Sequence, residues 1–241
     1  KKILLIIILN SRLYKNIIYE TLIYFKSFVV NPDNKGYAEY KNNIIYLDKD
    51  NSLGTRLLSR KLGFETYMDY YFNKYVNKNS IVLDIGANIG IHTLNLSKLA
   101  KKVYSFEPNK NTFKILEKNI IENNINNVQA INKGLSNTNT NSKIVCPENH
   151  ASQCYIENFT DIIEIITLDS LKLTECDFMK IDVEGFEEKV LLGGINTIKK
   201  HKPVIILENI MWSFDKSCIN ILKQVGYRYY RISMRDIIFI P

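Results

Sequence analysis

From Ser80 onward, short β-branched runs alternate with helix-length segments, and this rhythm limits the fold class of the 241-residue chain more than any other feature. Ile81–Ile85, Lys102–Phe106, Val128–Ile131, Phe178–Ile181 and Val204–Leu207 are apolar runs of the length that parallel strands buried on both faces require. Helical patterns cover Ile91–Ala100, Thr112–Asn123, Glu187–Lys199 and Ser213–Val225. The expectation is an α/β domain, a mostly parallel sheet with helices on both faces. Tyr227–Ile240 holds two strand-like runs around Met234-Arg235-Asp236, which predicts a terminal antiparallel hairpin. Residues 132–176 interrupt the rhythm with Asn-, Thr- and Ser-rich turns and strand-like pieces such as Ile162–Leu168. Such an insertion is where α/β enzymes often carry substrate-shaping loops.

The first 76 residues differ in texture. Tyr14, Ile17, Ile18, Leu22 and Phe25 fall at helical spacing, Asn43–Asp48 is strand-like, and Gly54 to Tyr75 is again helical. We therefore divide the chain into an N-terminal helical, substrate-shaping extension (1–76) and a catalytic domain (77–241). The apolar run Ile3–Leu9 after Lys1-Lys2 is too short to span a bilayer and lacks a small-residue cleavage site. It reads as a buried strand or helix rather than a membrane anchor. The chain begins without Met, which leaves room for residues upstream.

A composition of 46% hydrophobic and 24% charged residues excludes disordered, collagenous and polytopic membrane classes. The formal charge of +7 would attract anions. It accompanies an abundance of Ile, Asn and Lys, whose codons are all A/T-rich, so it is weak evidence for nucleic acid. No Lys/Arg stripe interleaved with aromatics supports an RNA partner either. Cys146, Cys154, Cys176 and Cys218 show no CxxC or zinc spacing and read as reduced thiols of a cytoplasmic protein.

The sharpest local signal is the strand–turn–helix Ile81-Val82-Leu83-Asp84-Ile85-Gly86-Ala87-Asn88-Ile89-Gly90. Gly86 and Gly90 allow close approach of the backbone to a ligand, and a helix start offers amide donors. The G-x-x-x-G spacing differs from the dinucleotide fingerprint. Glu107, ending the second strand before Pro108, is placed to accept ribose hydroxyls, and Asp84 to face a cationic group. An acid before the turn without a diphosphate fingerprint points to S-adenosylmethionine. The bland alternative makes Asp84 a helix-cap partner and Glu107 a solvated strand end.

Strand alternation through Met179-Lys180-Ile181-Asp182-Val183-Glu184-Gly185 would put Lys180, Asp182 and Glu184 on one side. Charged groups on a buried strand are costly unless paired or coordinating, so they mark a candidate site as well as a structural ion pair. Glu208, ending the fifth strand, lies on the same edge, and His92 follows the glycine turn closely enough to point in. Asp182 is the candidate base or metal ligand, with Lys180 positioning it or stabilising an alkoxide. Asp182, Glu184 and Glu208 form an oxygen set suited to Mg²⁺ or another divalent metal, and serve equally well as a hydrogen-bond network around a sugar.

At these residues the sequence resembles the FkbM-type family of S-adenosylmethionine-dependent methyltransferases. The resemblance covers roughly residues 63–229: Gly63-Phe64-Glu65, the Asp84–Gly90 turn with His92-Thr93, Phe106-Glu107-Pro108, Asn132–Ser136, Thr167-Leu168-Asp169, Lys180–Gly185, Pro203–Glu208 and Gly226-Tyr227. It implies a Rossmann-like class I methyltransferase fold, with a mostly parallel seven-stranded sheet, a C-terminal antiparallel hairpin and the N-terminal helical extension. It also implies S-adenosyl-L-methionine as donor and hydroxyl groups as acceptors. By position it makes Asp84, Gly86, Asn88, Gly90, Glu107, Pro108 and Ser136 cofactor-side residues, with Glu65 closing over the cofactor and His92, Lys180 and Asp182 in catalysis. Where the family most often has Ala-Leu-Ser-Asp, this chain has Gly134-Leu135-Ser136-Asn137, which removes one acid from the adenine side. The expected acceptor is a sugar hydroxyl of a glycan or glycolipid, with peripheral membrane contact compatible with it. The competing readings are an RNA 2′-O-methyltransferase and a non-catalytic cofactor-binding domain of a longer polypeptide.

Overall fold

The computed structural model describes residues 15, 37–47, 65–145, 155–156, 161–208 and 216–241. The readings of Ile3–Leu9, the first helix, the first half of Gly54–Tyr75 (54–64), Cys146 and Cys154 lie outside them. A hairpin of β1 (Tyr37–Tyr40) and β2 (Asn43–Tyr46) comes first, then α1 (Met68–Tyr75). The repeating unit follows as β3 (Ile81–Ile85), α2 (Ile91–Ser97), β4 (Lys102–Phe106), α3 (Lys110–Glu122) and β5 (Val128–Ile131). A second sheet carries β6 (Gly134–Leu135), β7 (Thr140–Val145), β8 (Tyr155–Ile156) and β9 (Asp161–Ile166). The chain then returns through β10 (Phe178–Ile181), α4 (Glu187–Gly193), α5 (Ile195–His201) and β11 (Val204–Glu208). It ends with α6 (Lys216–Gln224), β12 (Arg228–Arg231) and β13 (Asp236–Ile240).

The main sheet has seven strands in the order β12-β13-β11-β10-β3-β4-β5. β13 pairs antiparallel with both its neighbours, and the remaining pairings are parallel. The predicted hairpin therefore forms, with its second strand inserted between β11 and β12. Strand order reverses between β3 and β10, and ligands of open α/β sheets bind beyond the carboxyl ends at such a switch point.

Alternation along each strand divides the core in two. Leu83, Ile85, Met179, Ile181, Ile205 and Leu207 pack against Val190, Leu191, Ile198 and Leu222 of α4, α5 and α6. Val82, Val103, Phe178, Ile206 and Ile238 face the other way, against Met68, Tyr71 and Phe72 of α1 and Leu96 of α2. The β1–β2 hairpin docks through Ala38 and Ile45 onto apolar residues of α2 and α3. Asn119 and Asn123 of α3 bind its backbone at Tyr46 and Ile44 as a strand would. Cys176 and Cys218 are buried. Among the described residues, no helix is long and apolar enough to cross a membrane.

Three local expectations change. The pattern over Glu187–Lys199 becomes two helices broken at Gly194, whose backbone leaves the helical region (φ −116°, ψ 11°) and where a Cβ would meet Leu168 at 2.6 Å. The helix expected from Thr112 starts two residues earlier, where Asn109 caps it by accepting from the Asn111 and Thr112 amides. β10 stops at Ile181, and Glu184 (φ 50°) and Gly185 (φ 96°) form a left-handed turn. Strand alternation therefore does not extend to Glu184.

Gly86 joins the two halves at the switch point. It has φ 82°, and a Cβ there would lie 1.7 Å from the Asp182 carbonyl oxygen. The Asp182 amide in turn donates to the Ile85 carbonyl at 3.0 Å. Gly86→Ala must both strain the backbone and push the Asp182 segment away. We expect a loss of roughly 2–4 kcal/mol in urea unfolding; a loss within about 0.5 kcal/mol, the range of a surface change, contradicts the close approach.

Candidate active site

At the carboxyl edge of the main sheet, one face changes from apolar to polar. Ser105, Asp84 and Lys180 stand in direct register across β4, β3 and β10 on the face that carries Val103, Val82 and Phe178 one pleat earlier. All three are buried, Asp84 completely. The Thr93 hydroxyl of α2 donates to Asp84 Oδ2 at 2.6 Å and lies 3.0 Å from the Ser105 hydroxyl. Asp84 Oδ1 is buried and has no hydrogen-bond partner among the described residues. A buried carboxylate oxygen with an open valence calls for a cation or a donor, which fits the group that the sequence reading places here.

Glu107 stands beside it at the end of β4. Its Oε2 accepts from the Asn88 amide at 2.9 Å and its Oε1 from the Asn109 amide at 2.8 Å. Burial pushes its carboxyl up to about 7, against these two hydrogen bonds. Each oxygen keeps a second lone pair for an outside hydroxyl. Asn88 adopts φ 51°, and the Gly86 and Ala87 amides donate to the Phe106 carbonyl, so the turn is tied to the neighbouring strand end. Asn132 holds the Glu107–Pro108 segment by donating to both its carbonyls. Gly90 starts α2 with φ 93°. Ser136, by contrast, is built into the second sheet, its amide donating to Ile166 and its hydroxyl to Asn137.

On the other side of Asp84, the Lys180 ammonium donates to Asp182 Oδ2 at 3.1 Å. Burial alone would pull Lys180 down, but Asp182, Asp84 and Glu65 outweigh it and hold the ammonium above its usual range. Burial would likewise raise Asp182; Lys180, a hydrogen bond with Glu208 and Arg235 together keep it below the ordinary carboxylate range. Glu208 is pushed the opposite way by burial and by the charge of Asp182. In this pair Asp182 is the ionised partner. Oxygens of Asp182, Glu184 and Glu208 lie within 4.8 Å of one another. Glu184 reaches the cluster from the left-handed turn, which Glu187 fastens by accepting from the Val183 and Gly185 amides.

Glu65 and His92 meet at 2.8 Å. His92 also stands edge-on to Phe72, ring centroids 5.5 Å apart. Burial and then Lys180 push the imidazole down to about 4, whereas burial and then Asp182 push Glu65 up to about 7. The ring is therefore neutral near pH 7 and held by Glu65. Sequence reasoning missed the groups that the terminal hairpin supplies. Arg235 pairs with Glu208. Asp236 accepts from the Tyr67 hydroxyl at 2.6 Å and from Ser233 at 2.7 Å. A charged Arg235-Asp236 pair between apolar strands was the one signal available in the chain.

Glu65, raised from 4.5 to about 7, contributes stability that is full below pH 4.5 and is lost as the pH rises through about 7. Glu65→Gln removes that titration. The melting temperature of the variant should gain on the wild type steadily between pH 4.5 and 7. Parallel melting curves across that window contradict a buried, protonatable Glu65.

A model of the methyltransferase FkbM domain matches residues 84–229, more than half of the chain. The chain is 26% identical over 172 residues to the uncharacterized protein MJ1452 of Methanocaldococcus jannaschii, covering 61% of this chain and 66% of that protein, just under two thirds of its length. The methyltransferase FkbM from Methylobacillus flagellatus, 15% identical, superposes with a TM-score of 0.49 over 81% of this chain and 56% of that one. Trm5b from Pyrococcus abyssi is 16% identical, with a TM-score of 0.50 over 86% of this chain and 56% of its own. At this identity the likeness to Trm5b is one of fold, the Rossmann-like class I methyltransferase fold. With the Asp84–Gly90 turn and the Lys180–Gly185 segment both inside the matched span, this chain belongs to the FkbM methyltransferase domain family.

Proposed function

We propose that the protein is an S-adenosylmethionine-dependent O-methyltransferase that methylates a sugar hydroxyl of a glycan or glycolipid. One observation carries the reading. A completely buried Asp84 with an open oxygen stands in register with a Lys180–Asp182 ion pair at the switch point of the sheet. The first group suits a cationic donor and the second a hydroxyl about to lose its proton. S-adenosylmethionine would supply an electrophilic methyl group on a positively charged sulfur.

The residues then divide the work. Asp84, Gly86, Asn88, Gly90, Glu107 and Pro108 hold the cofactor; the contacts of Ser136 leave it a supporting part in that wall. Asp182, ionised beside Lys180, accepts a hydrogen bond from the acceptor hydroxyl and fixes its direction. Its proton affinity is low, but a hydroxyl becomes strongly acidic as its oxygen forms a new bond to carbon, so a weak carboxylate base suffices late in the step. The Lys180 ammonium holds Asp182 in place through their ion pair, so that the carboxylate meets the hydroxyl in one orientation. His92, neutral and bound to Glu65, serves to wall the site and orient Glu65 rather than to take the proton. We assign acceptor shaping to residues 1–76, whose Glu65 and Tyr67 reach into the site, and methyl transfer to 77–241. A cytoplasmic location and a carbohydrate partner accord with this chemistry.

Calorimetry with S-adenosylhomocysteine and transfer of labelled methyl to glycan, glycolipid and RNA fractions test the proposal. Asp84→Ala should abolish binding of S-adenosylhomocysteine. Asp182→Asn should keep that binding within about threefold and lower turnover by about a hundredfold or more. Transfer to RNA alone would overturn the carbohydrate assignment, and an Asp182→Asn variant of normal turnover would overturn the role given to Asp182.

A further inference from the structure

We propose that Arg235 stands where a divalent metal ion would otherwise sit. Its guanidinium and the Lys180 ammonium neutralise the Asp182–Glu184–Glu208 carboxylates, so the site works without a metal. The sequence alone treats these three carboxylates as a fair magnesium set, and their oxygens do cluster within 4.8 Å. A metal, however, needs carboxylate lone pairs facing an open centre, and Mg²⁺ also keeps several waters. Here two of the three carboxylates are already engaged. Asp182 Oδ2 accepts from Lys180 at 3.1 Å, and Glu208 Oε1 is held by Arg235. Asp182 and Glu208 also share a hydrogen bond, which uses a further lone pair of the set.

Charge points the same way. With Asp182 ionised and Glu208 protonated beside it, at most two negative charges face two fixed positive ones, and a divalent ion would leave the cluster net positive even after displacing Arg235. An arginine offers several donors in a rigid plane, so a single guanidinium can tie Glu208 while its charge also acts on Asp182 and Glu184. Its origin matters too. Arg235 arrives from the hairpin tip with its side chain 42% exposed, whereas the Glu208 side chain is 5% exposed. It reaches the cluster from the solvent side, so its removal opens the carboxylates without dismantling the sheet. Tyr67 and Ser233, through Asp236, anchor the tip that presents it. Arg235 is thus a positioning residue. It acts on the acceptor through Glu208 and Asp182, and in that last respect the inference rests on the proposed transfer reaction.

Binding of Mn²⁺, followed by the loss of the free-ion signal in electron paramagnetic resonance, tests this without reference to activity. The wild type should leave Mn²⁺ free at millimolar concentration. Arg235→Ala and the near-isosteric neutral Arg235→Gln, both checked for native circular dichroism, should bind it about tenfold more tightly or better. Arg235→Lys should restore exclusion. Stoichiometric Mn²⁺ binding by the wild type that Asp182→Asn abolishes would overturn the proposal. So would folded Arg235→Ala and Arg235→Gln proteins that bind Mn²⁺ no better than the wild type. S-adenosylhomocysteine calorimetry on the same samples reads the cofactor assignment separately: its failure would sink the transfer reading and leave the metal result standing.

Discussion

The burial of the Lys180 ammonium is the constraint on which the rest of the site depends. A lysine 3% exposed on a central strand is tolerable only if negative charge surrounds it, and this fold assembles that charge from three directions. Asp84 comes from the neighbouring strand and Asp182 from the end of the same strand. Glu65 comes from the segment before α1, and Glu208 supports the ionised Asp182 through their shared hydrogen bond. Each acid is in turn held by something else: Asp84 by Thr93, Glu65 by His92, Glu208 by Arg235. Removing the lysine would leave several carboxylates facing one another in a place that water scarcely enters. The same arrangement is what a methyl-transfer site needs, because it keeps charges oriented before any ligand arrives.

Two kinds of group therefore occupy the carboxyl edge. On the side of β3 and β4, backbone amides and carboxylates form a rigid cradle tied strand to strand through Phe106, Asn88 and Asn109. On the side of β10 and β11, ion pairs hold carboxylates whose proton affinities are spread widely apart, Asp182 below and Glu208 above the usual range. Gly86 is the contact between them, since only a residue without Cβ lets the turn rest on the Asp182 carbonyl. The two sides of the carboxyl edge are thus mechanically joined at one backbone contact.

Much of this could be read in the chain because its signals are local. The strands of the repeating unit emerged with the expected bounds, since a short β-branched run buried on both faces has few other solutions. Asp84, Glu107, Lys180 and Asp182 announced themselves as charged residues at the ends of apolar runs, where burial is expensive. Glu184 joins the cluster through a left-handed turn rather than through the strand alternation the sequence suggested. The helix expected over Glu187–Lys199 broke at Gly194, a position where Leu168, far away in sequence, leaves no room for a side chain.

The sequence by itself determined the β/α alternation, the glycine turn with its acids, and the family to which they belong, because periodicity and local spacing are properties of adjacent residues. Only the tertiary structure decided that Glu65 would meet His92, that Asp236 would bind Tyr67, and that Arg235 would close the carboxylate cluster. These pairings depend on β13 inserting between β12 and β11, and on α1 packing beside α2. Which neighbours a strand or helix acquires follows from burying whole faces of the sheet at once, and no single segment carries that information.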